Sequence, residues 1–231
     1  MNTSTATFNG IDAILTDIEG TTTDIDFVHK TLFPYARERM VDFIHSHPNE
    51  PAVADAAAAL GVAADDLDAI AKDLIGWIDQ DKKETALKAL QGLIWVQGYE
   101  NGDFTGHLYP DACEGLKRWH DSGKQLHIFS SGSVKAQKLL YGYSDFGDLT
   151  PLFSGYFDTT TGAKREAIAY ERISASIGLP ASQILFLSDV VEELDAARAA
   201  GMQTCLLVRG ERPDGAERHR AVENFDQITL D

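Results

Sequence analysis

Residues Ile11 to Thr23 read IDAILTDIEGTTT, and this stretch constrains the fold more than any other. Its largely apolar start, Ile11 to Leu15, has the length of a strand. It ends abruptly in two carboxylates, a glycine and three threonines. Asp17 and Glu19 are two apart, so an extended segment puts them on one face. A turn beginning at Gly20 leaves both at the strand's exposed end. In an open parallel sheet, ligands bind beyond the carboxyl ends of the strands. Asp17 therefore stands where a nucleophile or metal ligand would sit, and Glu19 where an acid or base could follow. Acidic residues and threonine also furnish ordinary solvated turns. The stretch alone leaves both readings open; the sharper one requires a cation, a phosphate cradle and a further carboxylate elsewhere.

The formal charge bears on that requirement. Among 231 residues, 20 are basic and 36 acidic, a net charge of −16. Such a balance argues against nucleic acid or an anionic membrane as partner. It also repels a phosphorylated substrate at long range, so phosphate binding would need local positive charge, most simply a metal ion and a lysine. The two cysteines, Cys113 and Cys205, lack metal-ligand spacing and read as reduced thiols of a reducing compartment. The first ten residues carry no signal-peptide pattern, and no apolar run approaches membrane-spanning length. A cytoplasmic protein is expected.

After Thr23 the pattern turns helical. VHKTLFPYARERMVDFIHSH has apolar residues at helical spacing with Pro34 as an early break. PAVADAAAALG ends at Gly61, a helix stop, and ADDLDAIAKDLIGWIDQD and KKETALKALQGLIWVQG follow with the same period. Residues 26–97 thus form a helical insert. Residues 98–110 read as a loop returning to the core, with Tyr99, Phe104, His107 and Tyr109 either lining a pocket or packing. From Asp111 onward helix and strand alternate: ACEGLKRWHDSG, KQLHIFSSGS, VKAQKLLYGYS, SGYFD, KREAIAYERISASIGL, SQILFLSD, VVEELDAARAAGM and QTCLLV. This alternation predicts an α/β fold with a mostly parallel sheet in three layers.

Three further element ends carry chemistry. Phe129-Ser130-Ser131-Gly132-Ser133 closes a strand and opens a helix, offering hydroxyls and free N–H groups to an anion, or simply an N-cap from Ser131 or Ser133. Lys164 falls at a predicted helix start, where it opposes the helix dipole, which hints at use elsewhere. Asp189 ends the strand ILFLSD, with Glu192 and Glu193 just beyond. Asp189 and Glu192 have capping-box spacing, yet Asp189 is equally suited to ligate magnesium.

Together these ends resemble the haloacid dehalogenase-like phosphatase superfamily, whose hallmark is Asp, one residue, an acid, Gly and Thr. Asp17-Ile18-Glu19-Gly20-Thr21 matches it, with Glu19 where most members have Asp. DIEGTT resembles the enolase-phosphatase branch, also called acireductone synthase, of methionine salvage. The likeness continues through GYENGDFTGHLYPD, FSSGS, KLLYGYSDFGDLTPLFSGYFDTTTGAKREAIAY and ILFLSDVVEELDAARAAGM. It spans nearly all of the chain after residue 10 and is weakest over residues 50–70.

The resemblance implies a Rossmann-like core of residues 1–25 and 98–231 with a helical cap, 26–97, inserted after the first strand. It implies that Asp17 attacks phosphorus, that Glu19 is acid and then base, and that Ser130, Ser131 and Lys164 hold the phosphate. Mg2+ would be bound by Asp17, Asp189 and Glu19, the last through its backbone carbonyl. The implied substrate is the small diketone phosphate of the salvage pathway, enolised and then dephosphorylated by a monomer. Glu19 is a candidate enolisation base and His29 a weaker one. A phosphatase for another small metabolite is the alternative. A receiver domain is disfavoured by the insert and the chain length, and a dehalogenase by Glu19 and the phosphate-binding set.

Overall fold

The computed structural model describes residues 5–231. It divides into two compact units, one formed by the chain up to Ile25 with Gly106–Asp231, the other by Asp26–Thr105.

The second unit is helical. A single turn, α1 (Ile25–Phe27), leads into a π-helical stretch, Val28–Leu32, and then α2 (Phe33–Ser46). The expected single helix is thus interrupted just before Pro34, which has no N–H to donate. The Phe33 N–H reaches back five residues to the Val28 carbonyl, and the Trp95 indole donates to the Leu32 carbonyl at 2.8 Å. The apolar faces of α2, α3 (Pro51–Leu60), α4 (Leu67–Asp79) and α5 (Thr85–Asn101) meet in a core that includes Met40, Ile44, Val53, Ile70, Leu74, Leu90 and Ile94. Gly61 closes α3 in the left-handed conformation, as its position in the sequence indicates.

The boundary expected at residue 97 is displaced. Helix α5 continues to Asn101, and the unit ends at Thr105. The reason lies in Gly98, which is helical because it is small. A Cβ there would come within 2.5 Å of the Phe104 ring and 2.8 Å of the Tyr35 ring. Tyr99 and Phe104 accordingly pack with Tyr35 inside the helical unit.

In the first unit, six parallel strands run in the order β4 (Gly155–Phe157), β3 (Gln125–Phe129), β2 (Ala13–Thr16), β5 (Ile184–Ser188), β6 (Gln203–Leu207), β7 (Arg220–Val222). Helices α6 (Pro110–Asp121), α7 (Val134–Gly142), α8 (Ala167–Ile177) and α9 (Val191–Ala199) accompany them. The fold is therefore α/β and Rossmann-like. β2 and β5 are buried along their whole length, as a sheet covered on both faces requires. A second sheet went unforeseen: β1 (Ala6–Phe8) pairs in parallel with β8 (Ile228–Leu230). Three-residue strands carry too little periodicity to stand out in a sequence.

Candidate active site

Strand order reverses at β2. The chain steps outward through β3 and β4, then returns to the other side of β2 with β5. Crevices at such a switch point are where open α/β sheets bind ligands. Register sets the heights: Thr16 lies opposite Ile128 of β3 and Leu187 of β5, so Asp17, Ser130 and Asp189 emerge at one end of the sheet. The Asp17 N–H extends the ladder to the Leu187 carbonyl at 2.9 Å.

The loop beyond Asp17 is wound around one atom. The Ile18 carbonyl accepts the N–H groups of Thr21, Thr22 and Thr23 at 2.9–3.1 Å, and the Gly20 N–H closes on the Thr23 carbonyl at 2.8 Å. This winding requires φ of +75° at Gly20. Space is the second constraint, since a Cβ on Gly20 would lie 2.2 Å from Asp189 Oδ2. The Asp189 carboxylate thus rests on the loop that bears Asp17 and Glu19.

Lys164 is the centre of charge. Its ammonium lies 2.7 Å from Asp17 Oδ1 and 2.7 Å from Glu193 Oε2, and all three side chains are buried. It is not at a helix start: α8 begins at Ala167, and Lys164 sits in the preceding turn, where its carbonyl accepts the Tyr170 hydroxyl at 2.7 Å. The opposed dipole is therefore not what its position reflects. Burial works against the charged lysine, but Asp17 and then Glu193 outweigh it and hold the group above its ordinary range. Burial, followed by the charge of Asp17, pushes Glu193 up to about 7 and Asp189 up to about 6. The same two causes raise Glu19.

Ser130 donates to Glu19 Oε2 at 3.2 Å and accepts the Gly132 N–H at 3.1 Å. Ser131 lies exposed in the same turn. Ser133 caps α7 by accepting the Ala136 N–H. Buried Gln137 staples the turn, donating to the Gly132 and Phe157 carbonyls at 2.8 Å each. His29 belongs to the helical unit, where it is exposed and lies edge-on to Phe33.

The expected capping box at Asp189 is absent. Val190 holds the cap position of α9 without a side-chain bond, and Ser188 Oγ accepts the Val190 N–H. Asp189 Oδ1 is instead buried with no partner. An orphaned carboxylate oxygen beside Asp17 suits a hard cation. Among the described residues, no three His, Cys, Asp or Glu side chains form a ready-made cage. Mg2+ binds through one or two carboxylates and keeps water and phosphate as its other ligands. Asp17, Asp189 and the backbone carbonyl of Glu19 are the groups that could hold it.

The role of Glu193 was not read from sequence. Its signal was there, four residues after Asp189 and so one helical turn on, but Glu192 competed for attention. The Thr22 hydroxyl pairs with the buried Tyr141 hydroxyl at 2.8 Å, and Thr23 Oγ1 lies 3.0 Å from His107 Nδ1. These contacts cross more than eighty residues and leave no local trace.

A model of the haloacid dehalogenase-like hydrolase family matches residues 11–201. The enolase-phosphatase E1 of Erwinia tasmaniensis is 58% identical over 222 residues, covering 94% of this chain and 96% of that protein. That of Pectobacterium carotovorum is 55% identical over 224 residues, covering 95% and 97%. The crystal structure of the UTR4 protein of Saccharomyces cerevisiae is 36% identical, with a TM-score of 0.81, covering 94% of this chain and 99% of that one.

Proposed function

Because the chain belongs to the haloacid dehalogenase-like hydrolases, and within them to the enolase-phosphatases, we propose that it acts in methionine salvage. The substrate is 2,3-diketo-5-methylthiopentyl-1-phosphate, and the products are the acireductone 1,2-dihydroxy-3-keto-5-methylthiopentene and phosphate. The observation that carries the site assignment is the buried Lys164, 2.7 Å from both Asp17 and Glu193, in a chain otherwise strongly acidic.

Asp17 is the nucleophile. Its Oδ1 is committed to Lys164 and to the Ile18 N–H at 2.8 Å, which leaves Oδ2 for attack. As the Asp17–phosphorus bond forms, the bond from phosphorus to the substrate's ester oxygen breaks. Glu19 gives that oxygen a proton, then takes one from the water that hydrolyses the aspartyl phosphate. Burial and Asp17 raise the Glu19 carboxyl, which suits it to carry this proton. In the preceding enolisation Glu19 is the candidate base; a proton taken from carbon there would arm it as the acid of the next step. Ser130, Ser131 and Lys164 hold the phosphate oxygens. Asp17, Asp189 and the Glu19 carbonyl would hold Mg2+, which when bound would supply positive charge against the phosphate and Lewis acidity toward the substrate carbonyl. The reading keeps a monomer in a reducing cytoplasm, and the two buried free thiols are consistent with the latter.

The test is turnover of the diketone phosphate, followed by phosphate release and acireductone absorbance together. Both signals should vanish on chelation and return with Mg2+, while Ca2+, with its looser geometry, restores little. Phosphate release without the acireductone signal would favour a phosphatase for another metabolite.

A further inference from the structure

We propose that Arg209 is a positioning residue for the nucleophile loop, acting through the Thr21 carbonyl. It lies two residues after β6 and is largely withdrawn from solvent, with 12% of its side chain exposed. Its Nε and Nη2 both donate to the Thr21 carbonyl, at 3.2 and 2.9 Å. Its Nη1 donates to Asp111 Oδ2 at 2.8 Å and to the Glu223 carbonyl at 3.3 Å. The guanidinium lies 4.2 Å from the centre of the Tyr109 ring.

The loop's own hydrogen bonds explain why this matters. The Ile18 and Thr23 carbonyls are used inside the winding, whereas those of Thr21 and Thr22 are met from outside it. Thr22 receives the Tyr109 N–H at 2.9 Å, from the residue on which Arg209 stacks. Asp111, the carboxylate partner of Arg209, also accepts the Phe225 N–H at 2.8 Å. One cation thus ties the loop bearing Asp17 and Glu19 to the start of α6 and to the chain after β7. Withdrawing an arginine from solvent is costly unless its donors are met, and here Nε and Nη2 are met by the loop and Nη1 by Asp111 and Glu223. Lysine cannot replace it, because a point charge with a flexible stem does not span two acceptors in a fixed fork.

The inference rests on Asp17 being the nucleophile. A misplacement of about 1 Å at a reacting group can cost about a hundredfold in rate. Arg209→Ala should therefore lower kcat about a hundredfold and Arg209→Lys about tenfold, with KM changed less than about threefold, because the guanidinium is spent on Thr21, Asp111 and Glu223. Methylguanidinium added to Arg209→Ala should restore part of kcat. Arg118→Met is the control. Arg118 holds the Phe225 carbonyl at 3.3 Å in the same region but has no bond to Thr21, so kcat should be unchanged. Should Arg209→Ala fail to fold, the kcat and KM of Arg209→Lys decide. Near-normal kcat in folded Arg209 variants, a loss confined to KM, or an equal loss in Arg118→Met would overturn the inference. Asp17→Asn keeps the two questions apart: an active Asp17→Asn removes the nucleophile assignment, whereas an inactive one beside normal Arg209 variants removes only the role of Arg209.

Discussion

Gly20→Ala separates backbone strain from damage to the site. Gly20 has φ of +75°, and a Cβ there would stand 2.2 Å from Asp189 Oδ2 and 2.5 Å from Asp189 Cγ. The left-handed conformation costs an L-residue about 1–2 kcal/mol. In a chain of this size that lowers Tm by roughly 2–8 °C. Relieving the overlap requires the Asp189 carboxyl to retreat by about 1 Å or more before ordinary contact is restored. It is a short, partly buried side chain whose Oδ1 is enclosed, so the displacement passes to the carboxylate or to the loop carrying Asp17 and Glu19. Either way kcat for phosphate release should fall about a hundredfold. Gly61→Ala provides the comparison. Gly61 has φ of +71° but open space where a Cβ would go, so it should show a similar Tm loss with unchanged kcat. The assays are thermal unfolding and steady-state phosphate release on both variants. If Gly20→Ala retained wild-type kcat, or if both variants lost activity in step with Tm, Asp189 would have no place against the catalytic loop.

Two other outcomes follow from buried charge. Lys164→Met leaves Asp17 and Glu193 without the cation between them and should reduce phosphate release at least about a hundredfold, while Lys138→Ala, on an exposed face of α7, should change it little; comparable losses in the two would mean that overall charge, and not this contact, matters. His127 is a group outside the site whose pKa burial lowers from 6.5 to about 4. Below pH 6.5 the unfolded chain takes up a proton that the folded chain refuses, so stability is lost as pH falls from 6.5 toward 4. The urea midpoint should drop more between about pH 7 and about pH 5.5 for the wild type than for His127→Gln, and parallel declines would argue against this origin.

The parts legible in the sequence were those written locally. The strand before Asp17, the helical insert, the glycine stop at Gly61 and the alternation after Asp111 each follow from periodicity or turn chemistry within a short window. Asp17, Ser130 and Asp189 each fall just past a strand end, and parallel strands bring those ends together at one end of the sheet. What escaped was set by tertiary contact. Lys164 reads as a helix start until its ammonium is seen between two carboxylates. Asp189 reads as a cap or a metal ligand alike, and the cap falls away only when the Val190 N–H is found on Ser188. Helix α5 overruns its expected end because two aromatic rings close on Gly98. Nothing in the stretch around Arg209 points to a carbonyl 188 positions away.

In the proposed reaction Asp17 forms a covalent bond to phosphorus. Borohydride reduction during turnover tests it most directly, because it converts an aspartyl phosphate to homoserine, which peptide mass then locates. Homoserine should appear at position 17 in the substrate-treated enzyme, and should be missing without substrate and in Asp17→Asn. Continued turnover with Asp17 unmodified, or homoserine at Asp189 instead, would contradict it.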